Sequence, residues 1–477
     1  MTGTGPSPHV NTPGAPSNTK GRTGALIAVL CLALVVRLTF WWFAGTDAPL
    51  GGDELEYQEL AENLVNGRGF VGHPPFFPGQ EARAWQPPLY PFTLALVYAV
   101  TGVSPPAARF FQILLGVGTV YLVWRLGTNL FPQGRHTRLV AALIVALYPG
   151  LVTHAHVLLS ETLFIFLLVL AVGLAISARQ PVGARRAIAA GAAGMAFGLA
   201  TLTRGGILYF APIVIAWLGL RTLWLPKIDA RGAFRAAAFA CAVLITLSPW
   251  VIRNTATFHR FVLLETKGGV GLWLGNNPYL GGTSVRRIGE VGVRERPLRE
   301  LPADEVERGR AAYDLARQHI ASEPGLFLRR AIARFAVFWG FERKTADVAA
   351  ATRRAPDAGW HVPSKAAVDL ASALSVIGLV LAALAGICCA PDDPRTVLLA
   401  TLVGYFTLVH SVVHAEGRYH LQVVPFLALY AAWAVTEWRS LRPRLRSLRG
   451  AVVGIGAVVF VSVWCYEIAG AILLLSR

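Results

Sequence analysis

The sequence predicts an all-α polytopic membrane protein, with about eleven transmembrane helices and two long loops on one face. Three observations lead there. The 477 residues are 54% hydrophobic and only 15% charged, against about 25% charged in a typical soluble domain. The apolar residues gather in stretches of about 20, the length that crosses the hydrocarbon core of a bilayer. The cationic residues, behind a formal net charge of +17, fall mainly in short segments between those stretches, as cytoplasmic loops require. A soluble protein cannot cover that much apolar surface, whereas a lipid bilayer solvates it. Loop clustering accounts for the charge, so no nucleic-acid partner is expected.

Residues 1–23 are rich in Gly, Pro, Ser and Thr and are expected to form a disordered cytoplasmic tail. The apolar run Ala25–Ala44 carries Arg37 and lacks a small-residue cleavage site. It reads as a retained first helix rather than a signal peptide. Spans are expected near 24–44, 109–131, 138–155, 160–178, 187–203, 206–223, 236–252, 367–389, 396–413, 419–437 and 450–474. This divides the chain into an N-terminal transmembrane module (24–252, with an outer loop at 45–104), an outer-face loop subdomain (253–366) and C-terminal transmembrane helices (367–477). Cys31, Cys241, Cys388, Cys389 and Cys465 all lie in apolar stretches and read as small core residues.

Orientation follows from charge. With a cytoplasmic N-terminus, the inner loops carry Arg135 and Arg138, then Arg179, Arg185 and Arg186, then Arg221, Lys227, Arg231 and Arg235, then Arg395, and finally the run from Arg439 to Arg449. The short outer loops keep little beyond Arg204 and Arg418. The stretch Pro88–Gly102 is apolar but short, and spanning there would invert the bias, so it reads as a helix at the outer interface or one dipping in and out. Long outer loops and short inner ones put the working face outside the cytoplasmic (inner) membrane. No internal repeat is visible, which weakens an inverted-repeat transporter reading.

The first outer loop opens GGDELEYQELAENLVNGRGF, residues 51–70. Leu55, Leu60 and Leu64, with Tyr57 and Ala61, recur at roughly helical spacing, so 53–66 reads as an amphipathic interfacial helix stopped by Gly67 and Gly69. Two readings of Asp53 and Glu54 stand side by side. One is an N-cap followed by a solvated acidic face. The other is a carboxylate that takes the proton of an attacking hydroxyl, or holds a cation against a leaving phosphate.

At this point the chain resembles the GT-C superfamily of membrane glycosyltransferases, in the bacterial branch related to protein O-mannosyltransferases and the lipid A aminoarabinose transferase. The resemblance is carried by GDELEYQELAENLVNGRGF, WQPPLYPFTLALVYAVTG, AARFFQILLGVGTVYLVWRLGTNLF, LLSETLFIFLLVLA, GLATLTRGGILYFAPIVIAW, SPWVIRNTATFHRFVLLETKGGVGLWLGNNP and GRYHLQVVPFLAL, in that order over most of residues 24–437. It implies an outer-face enzyme that takes a sugar from a polyprenyl-phosphate donor and inverts the anomeric carbon. The acceptor is a cell-envelope glycan, lipid or protein. Asp53 falls at the catalytic acidic position with Glu54 beside it, and Glu161 falls at a second acidic position. The alternative for Glu161 is a helix-start residue behind a capping Ser160. The aminoarabinose transferase carries a metal-binding Glu and a phosphate-binding Lys before the loop proline. Here Trp85 and Gln86 stand there, with Glu81 and Arg83 out of register, so a divalent metal is a candidate cofactor without its usual ligands.

A phosphate head needs cationic groups. The outer-face candidates are Arg204, Arg253, Lys267 and Arg418, each with membrane-headgroup snorkelling as its alternative. Arg204 also matches a basic residue of the aminoarabinose transferase. Tyr57, Trp85, Gln86, Trp273, Asn276, Asn277 and Tyr419 are candidates for sugar or acceptor contacts, through ring stacking or amide hydrogen bonds. Asn276-Asn277-Pro278 is equally a turn. His410 and His414 share a helix face near Glu416, a possible metal site outside any HExxH context. In the second outer segment, 304–321 reads as a mixed-charge surface helix and 325–341 as a basic amphipathic stretch on the membrane. Gly194 and Gly198 form a GxxxG able to pack helices within or between chains.

Two other functions fit the composition. A transporter or flippase of lipid-linked intermediates predicts ionisable residues along mid-depth helix faces, where this chain offers only Arg37 and Arg125 as notable exceptions. A scaffold that binds lipid-linked sugar without turning it over differs from the enzyme only in activity.

Overall fold

A computed structural model of the chain describes residues 19–46, 48–132, 134–179, 185–220, 229–279, 298, 301–342 and 365–475. Most of the tail expected to be disordered lies outside them, as do Arg221 and Lys227. Among the described residues there is no strand; Gly72 and Ala82 form an isolated bridge.

Among the described residues, helices α1 (Thr19–Ala44), α4 (Pro105–Leu130), α7 (Glu161–Ala178), α10 (Ala230–Phe258), α14 (Lys365–Cys389), α15 (Pro394–Val412) and α18 (Leu448–Leu475) contain the seven segments long and apolar enough to cross a bilayer. Between them run α2 (Asp53–Val65), α3 (Leu89–Thr101), α5 (Arg135–Leu147), α6 (Pro149–His154), α8 (Arg185–Thr203), α9 (Ala211–Gly219), α11 (Gly268–Gly275), α12 (Glu305–Ser322), α13 (Pro324–Phe338), α16 (Val424–Thr436) and α17 (Trp438–Arg444). Each expected span coincides with a helix or a broken pair of helices. The chain is therefore an all-α, multi-pass membrane protein. Outward-facing apolar side chains such as Val35, Trp42, Ile455 and Val458 are what a lipid environment accommodates.

The breaks have local causes. The stretch expected as one span at 138–155 splits at Pro149, which has no N–H to continue the ladder and holds Tyr148 extended (ψ 117°). The freed carbonyls of Val145 and Ala146 accept hydrogen bonds from the buried Arg37 of α1, at 3.3 and 2.9 Å. That explains a guanidinium inside an apolar helix. Helix α3 has 13 residues, about 20 Å at 1.5 Å per residue, which is short of the roughly 30 Å core. It packs on α2, α4 and α8.

The GxxxG works within the chain. A Cβ on Gly194 would lie 2.3 Å from the carbonyl oxygen of Phe239, and one on Gly198 would lie 2.7 Å from Thr246 Cβ. Both glycines thus let α8 and α10 touch almost backbone to backbone. Gly194→Leu should lower stability by about 1–3 kcal/mol, because the obstructing atom is main chain and cannot turn aside. A fall in the detergent melting temperature checks this, and an unchanged melt would refute it.

The basic amphipathic stretch at 325–341 turns two of its arginines into the protein and leaves apolar side chains outside. In α13, Arg330 and Arg334 are buried, while Leu328 and Ile332 are exposed. Arg334 donates to the carbonyls of Ser411 (2.6 Å) and Gly275 (2.7 Å) and to Asn276 Oδ1 (3.1 Å). Its charge ties α13 to the ends of α15 and α11. Glu305 of the expected surface helix is buried too. It accepts from the backbone N–H groups of Arg83 and Ala84 and from the Thr266 hydroxyl. Through these contacts the second outer segment is fastened to the first.

Candidate active site

The candidate residues come from five helix ends and turns gathered at one end of the bundle. Gly52 sits at φ 57°, ψ −128°, a conformation that favours glycine, and it turns the chain so that α2 begins at Asp53. Asp53 is thus the first helical residue and not the cap, and no side chain caps this terminus. Glu161 opens α7, Arg204 follows α8, Lys267 precedes α11, and a 3₁₀ turn (Gly417–Gln422) carries Arg418 and Tyr419.

These groups form an alternating charge cluster. Glu161, 5% exposed in its side chain, lies 3.0 Å from Arg204 Nη1 and 3.6 Å from Arg418 Nε. Arg418, itself buried, also reaches Asp53 Oδ2 at 3.1 Å and Glu416 Oε2 at 2.9 Å. The Tyr419 ring lies beneath both guanidinium groups, 5.4 Å from that of Arg204 and 5.7 Å from that of Arg418. Ser160 Oγ, free of any capping role, accepts from Arg204 Nη1 at 3.3 Å. Glu161 is thus a buried anchor for two arginines. Asp53 is different, because its side chain remains 45% exposed.

What exposes Asp53 is a cavity with two adjoining lobes, of about 790 and 1240 Å³. Asp53, Gln86, Arg204, Glu265, Lys267, His410, Arg418 and Tyr419 line both. Tyr57 and Glu161 line the first, Trp85 and Glu56 the second. Gln86 organises the wall: its carbonyl accepts from the Tyr57 hydroxyl (3.2 Å) and from Lys267, and its amide donates to Glu56 (2.9 Å). A volume of this order suits a small organic ligand.

Glu56 was not foreseen. It takes the buried side of α2, and that burial pushes its carboxyl from 4.5 up to about 7; the Gln86 hydrogen bond and Lys267 oppose the shift, while Asp53 and Glu59 add to it. A folded-state value above the unfolded one gives stability that is full below pH 4.5 and is lost as pH rises through about 7. The loss is at most about 3 kcal/mol. Melting curves between pH 4.5 and about 8 should therefore slope downward in the wild type and flatten in Glu56→Gln. Equal slopes would reject the assignment.

Five predicted residues stay outside the cavity lining. Glu54 accepts from the N–H of Leu158 (2.7 Å) and of Gly51 (3.1 Å), fastening α2 to the approach to α7, and burial raises its pKa. Arg253 donates to the carbonyls of Arg83 (2.6 Å) and Phe70 (3.3 Å) and stacks on Trp250, clamping the first outer loop. Trp273 is buried in a small core with Phe77, Trp85 and Val270. Asn276 and Asn277 are spent on backbone groups and on Arg334, as a turn requires. All five face structure because the turns that carry them are themselves packed.

One histidine of the pair resolves as structure. His410 Nδ1 lies 3.1 Å from the His414 carbonyl and Nε2 lies 2.8 Å from Gln422 Nε2, so both ring nitrogens are engaged. Among the described residues no three His, Cys, Asp or Glu side chains gather as a metal site. The counter-charges beside Asp53 and Glu161 come from arginines instead.

Comparison with known proteins bears on the fold that carries these residues. Residues 85–252 match the family of dolichyl-phosphate-mannose-protein mannosyltransferases. No curated protein matches the chain. The oligosaccharyltransferase of Archaeoglobus fulgidus in its apo form superposes with a TM-score of 0.55 at 14% identity, covering 93% of this chain and 55% of that one. The same enzyme, AglB, in complex with an inhibitory peptide and a dolichol-phosphate gives 0.53 at 14%, covering 94% and 55%. This is the GT-C fold. The chain spans about half the length of that oligosaccharyltransferase. ArnT from Cupriavidus metallidurans bound to undecaprenyl phosphate is similar over 86% of this chain and 78% of its own, at 17% identity and a TM-score of 0.40.

Sequence reasoning singled out neither Glu265 nor Glu342. Glu265 lines both lobes, two positions before Lys267 in the same ETKGG segment, and that proximity was the available signal. Behind the 3₁₀ turn, Glu342 and His420 lie 2.7 Å apart, with the Tyr148 hydroxyl 2.8 Å from Glu342. Nothing local in the sequence joins these three. They brace the turn that carries Arg418.

Proposed function

We propose that the protein transfers a sugar from a polyprenyl-phosphate carrier to a hydroxyl-bearing acceptor, on the outer face of the cytoplasmic membrane. The observation that carries this reading is the half-exposed Asp53 carboxylate in the wall of a cavity whose lining also supplies Arg204 and Lys267. Asp53 is the base. It takes the acceptor O–H proton as that oxygen attacks the anomeric carbon. The bond from that carbon to the phosphate oxygen breaks, and its electron pair leaves on the phosphate. Arg204 and Lys267 hold the charge that develops there. A single displacement inverts the anomeric carbon.

Arg418 is held by three carboxylates and acts by fixing Asp53, while Glu161 anchors both arginines. Tyr57, Gln86, Trp85 and Tyr419 shape the space for sugar and acceptor. Because Lys267, Arg418 and Tyr419 come from beyond residue 252, the catalytic unit needs the outer loop subdomain and the C-terminal helices as well as the N-terminal module. The outward orientation rests on the loop charge bias. The names of the similar proteins, with their mannosyl, dolichol-phosphate and undecaprenyl-phosphate substrates and ligands, support a lipid-linked donor. An acceptor that is a glycan, lipid or protein is compatible with the wide second lobe.

The test is transfer by the purified protein from a panel of radiolabelled polyprenyl-phosphate sugars. Turnover with a donor supports the reading. Binding without turnover favours a lipid-binding scaffold or a transporter of lipid-linked intermediates, and no binding of any carrier lipid would overturn the reading.

A further inference from the structure

We infer that Glu265 reads the transferred sugar, by accepting hydrogen bonds from its hydroxyl groups while Arg204 and Lys267 hold the adjoining phosphate. This rests on the glycosyl-transfer reading and deepens it. Four observations carry it.

First, Glu265 lines both lobes of the cavity, and its Oε2 is buried with no hydrogen-bond partner among the described residues. A buried carboxylate oxygen without a donor is unfavourable, and in a native fold it asks for an explanation. A ligand that brings donors supplies one. Burial also raises the carboxyl pKa, as expected of a group still lacking its partners.

Second, the other acids there already have partners, Glu56 in Gln86 and Glu416 in Arg418. Glu161 is held by two arginines and Asp53 by Arg418. The carbonyl of Gln86 already accepts from Tyr57 and Lys267.

Third, the position suits a sugar beside a phosphate. Lys267 Nζ lies 4.0 Å from Glu265 Oε2, and Arg204 lines the same cavity. Gly205 stands against the carboxyl, where its Cβ would lie 3.7 Å from Glu265 Oε1. The acid is therefore part of the cavity wall that also carries the cations.

Fourth, the residue is fixed in place. On one side the Leu264 carbonyl accepts from Trp250 Nε1 (2.7 Å) and Asn254 (3.2 Å). On the other, the Thr266 N–H donates to the Ala84 carbonyl (2.9 Å), and its hydroxyl donates to Glu305. A hydrogen-bonding group held on both sides discriminates well, because it cannot turn away from an ill-fitting ligand.

The experiment uses the full chain in detergent and the polyprenyl-phosphate sugar that it turns over. Donor kcat/KM and donor affinity are compared in the wild type, Glu265→Gln and Glu265→Ala. Each is also measured with bare polyprenyl phosphate and with deoxy-sugar donors. Glu265→Ala should lose about 10–100-fold with the intact donor. It should bind bare polyprenyl phosphate as the wild type does and keep its acceptor KM, and Glu265→Gln should fall between. One deoxy donor should bring the wild type down to the level of Glu265→Ala, with no further loss in the variant.

Equal loss for sugar donor and bare phosphate would overturn the inference, since Glu265 would then act through Lys267. Loss confined to acceptor KM would assign the carboxylate to the acceptor and overturn it too, as would wild-type behaviour in both variants. A wild type inert with every donor defeats the glycosyl-transfer reading itself, and this inference with it. An active wild type beside indifferent Glu265 variants defeats the inference alone.

Discussion

Asp53→Asn lowers kcat by about 10²–10⁴-fold, the range typical of a lost general base, while donor affinity changes little. The amide has nearly the volume of the carboxylate but cannot take the acceptor proton. The cluster survives the exchange, because Arg418 keeps Glu161 and Glu416 as partners. Glu54→Gln is the control beside it. Glu54 accepts from the backbone of Leu158 and Gly51 and does not line the cavity, so its loss appears in the melting temperature before it appears in turnover. Steady-state kinetics on both variants, with donor affinity measured separately, distinguish the two roles. Turnover surviving in Asp53→Asn and vanishing in Glu54→Gln would reverse the assignment. A loss of donor affinity equal to the loss of turnover would make Asp53 a binding residue.

The architecture was legible because a bilayer imposes long apolar runs and a charge bias, both of which are written locally. The breaks were less so. Pro149 is visible in the sequence, but the reason it is tolerated is Arg37, more than a hundred positions away, filling the freed carbonyls. The acidic pair illustrates the same limit. Asp53 and Glu54 are neighbours and look alike, but one helical step turns one towards the cavity and the other onto the backbone of Leu158. Sequence could mark both as candidates and had no means to rank them.

Cations were readable as exceptions to the loop bias, which picked out Arg204 and Arg418. It could not tell Lys267, which enters the cavity, from Arg253, which is spent on the carbonyls of Arg83 and Phe70. The same holds for α13. Its amphipathic pattern suggested a membrane surface but did not reveal that Arg334 turns inward to the carbonyls of Ser411 and Gly275. In each case the deciding partner is a main-chain group supplied by a distant segment. A one-dimensional pattern does not carry that information.

Glu161→Gln tests the anchor of the cluster, and here stability falls together with activity. Breaking a buried ion pair by removing one member typically costs about 3–5 kcal/mol, since the remaining charge stays buried without compensation. The two arginines are not equally exposed to that cost. Arg418 retains Asp53 and Glu416, whereas Glu161 is the carboxylate that Arg204 meets within ion-pair distance among the described residues. The orphaned charge is therefore Arg204. Adding Arg204→Met removes it, so the double variant should recover part of the lost melting temperature relative to Glu161→Gln alone. Activity should not return with it, because the group proposed to hold the leaving phosphate is now absent. A double-mutant cycle on the melting temperature, run beside turnover, separates these effects. Additive losses of stability would mean that Glu161 and Arg204 are not coupled, and recovery of turnover in the double variant would remove Arg204 from the proposed phosphate site.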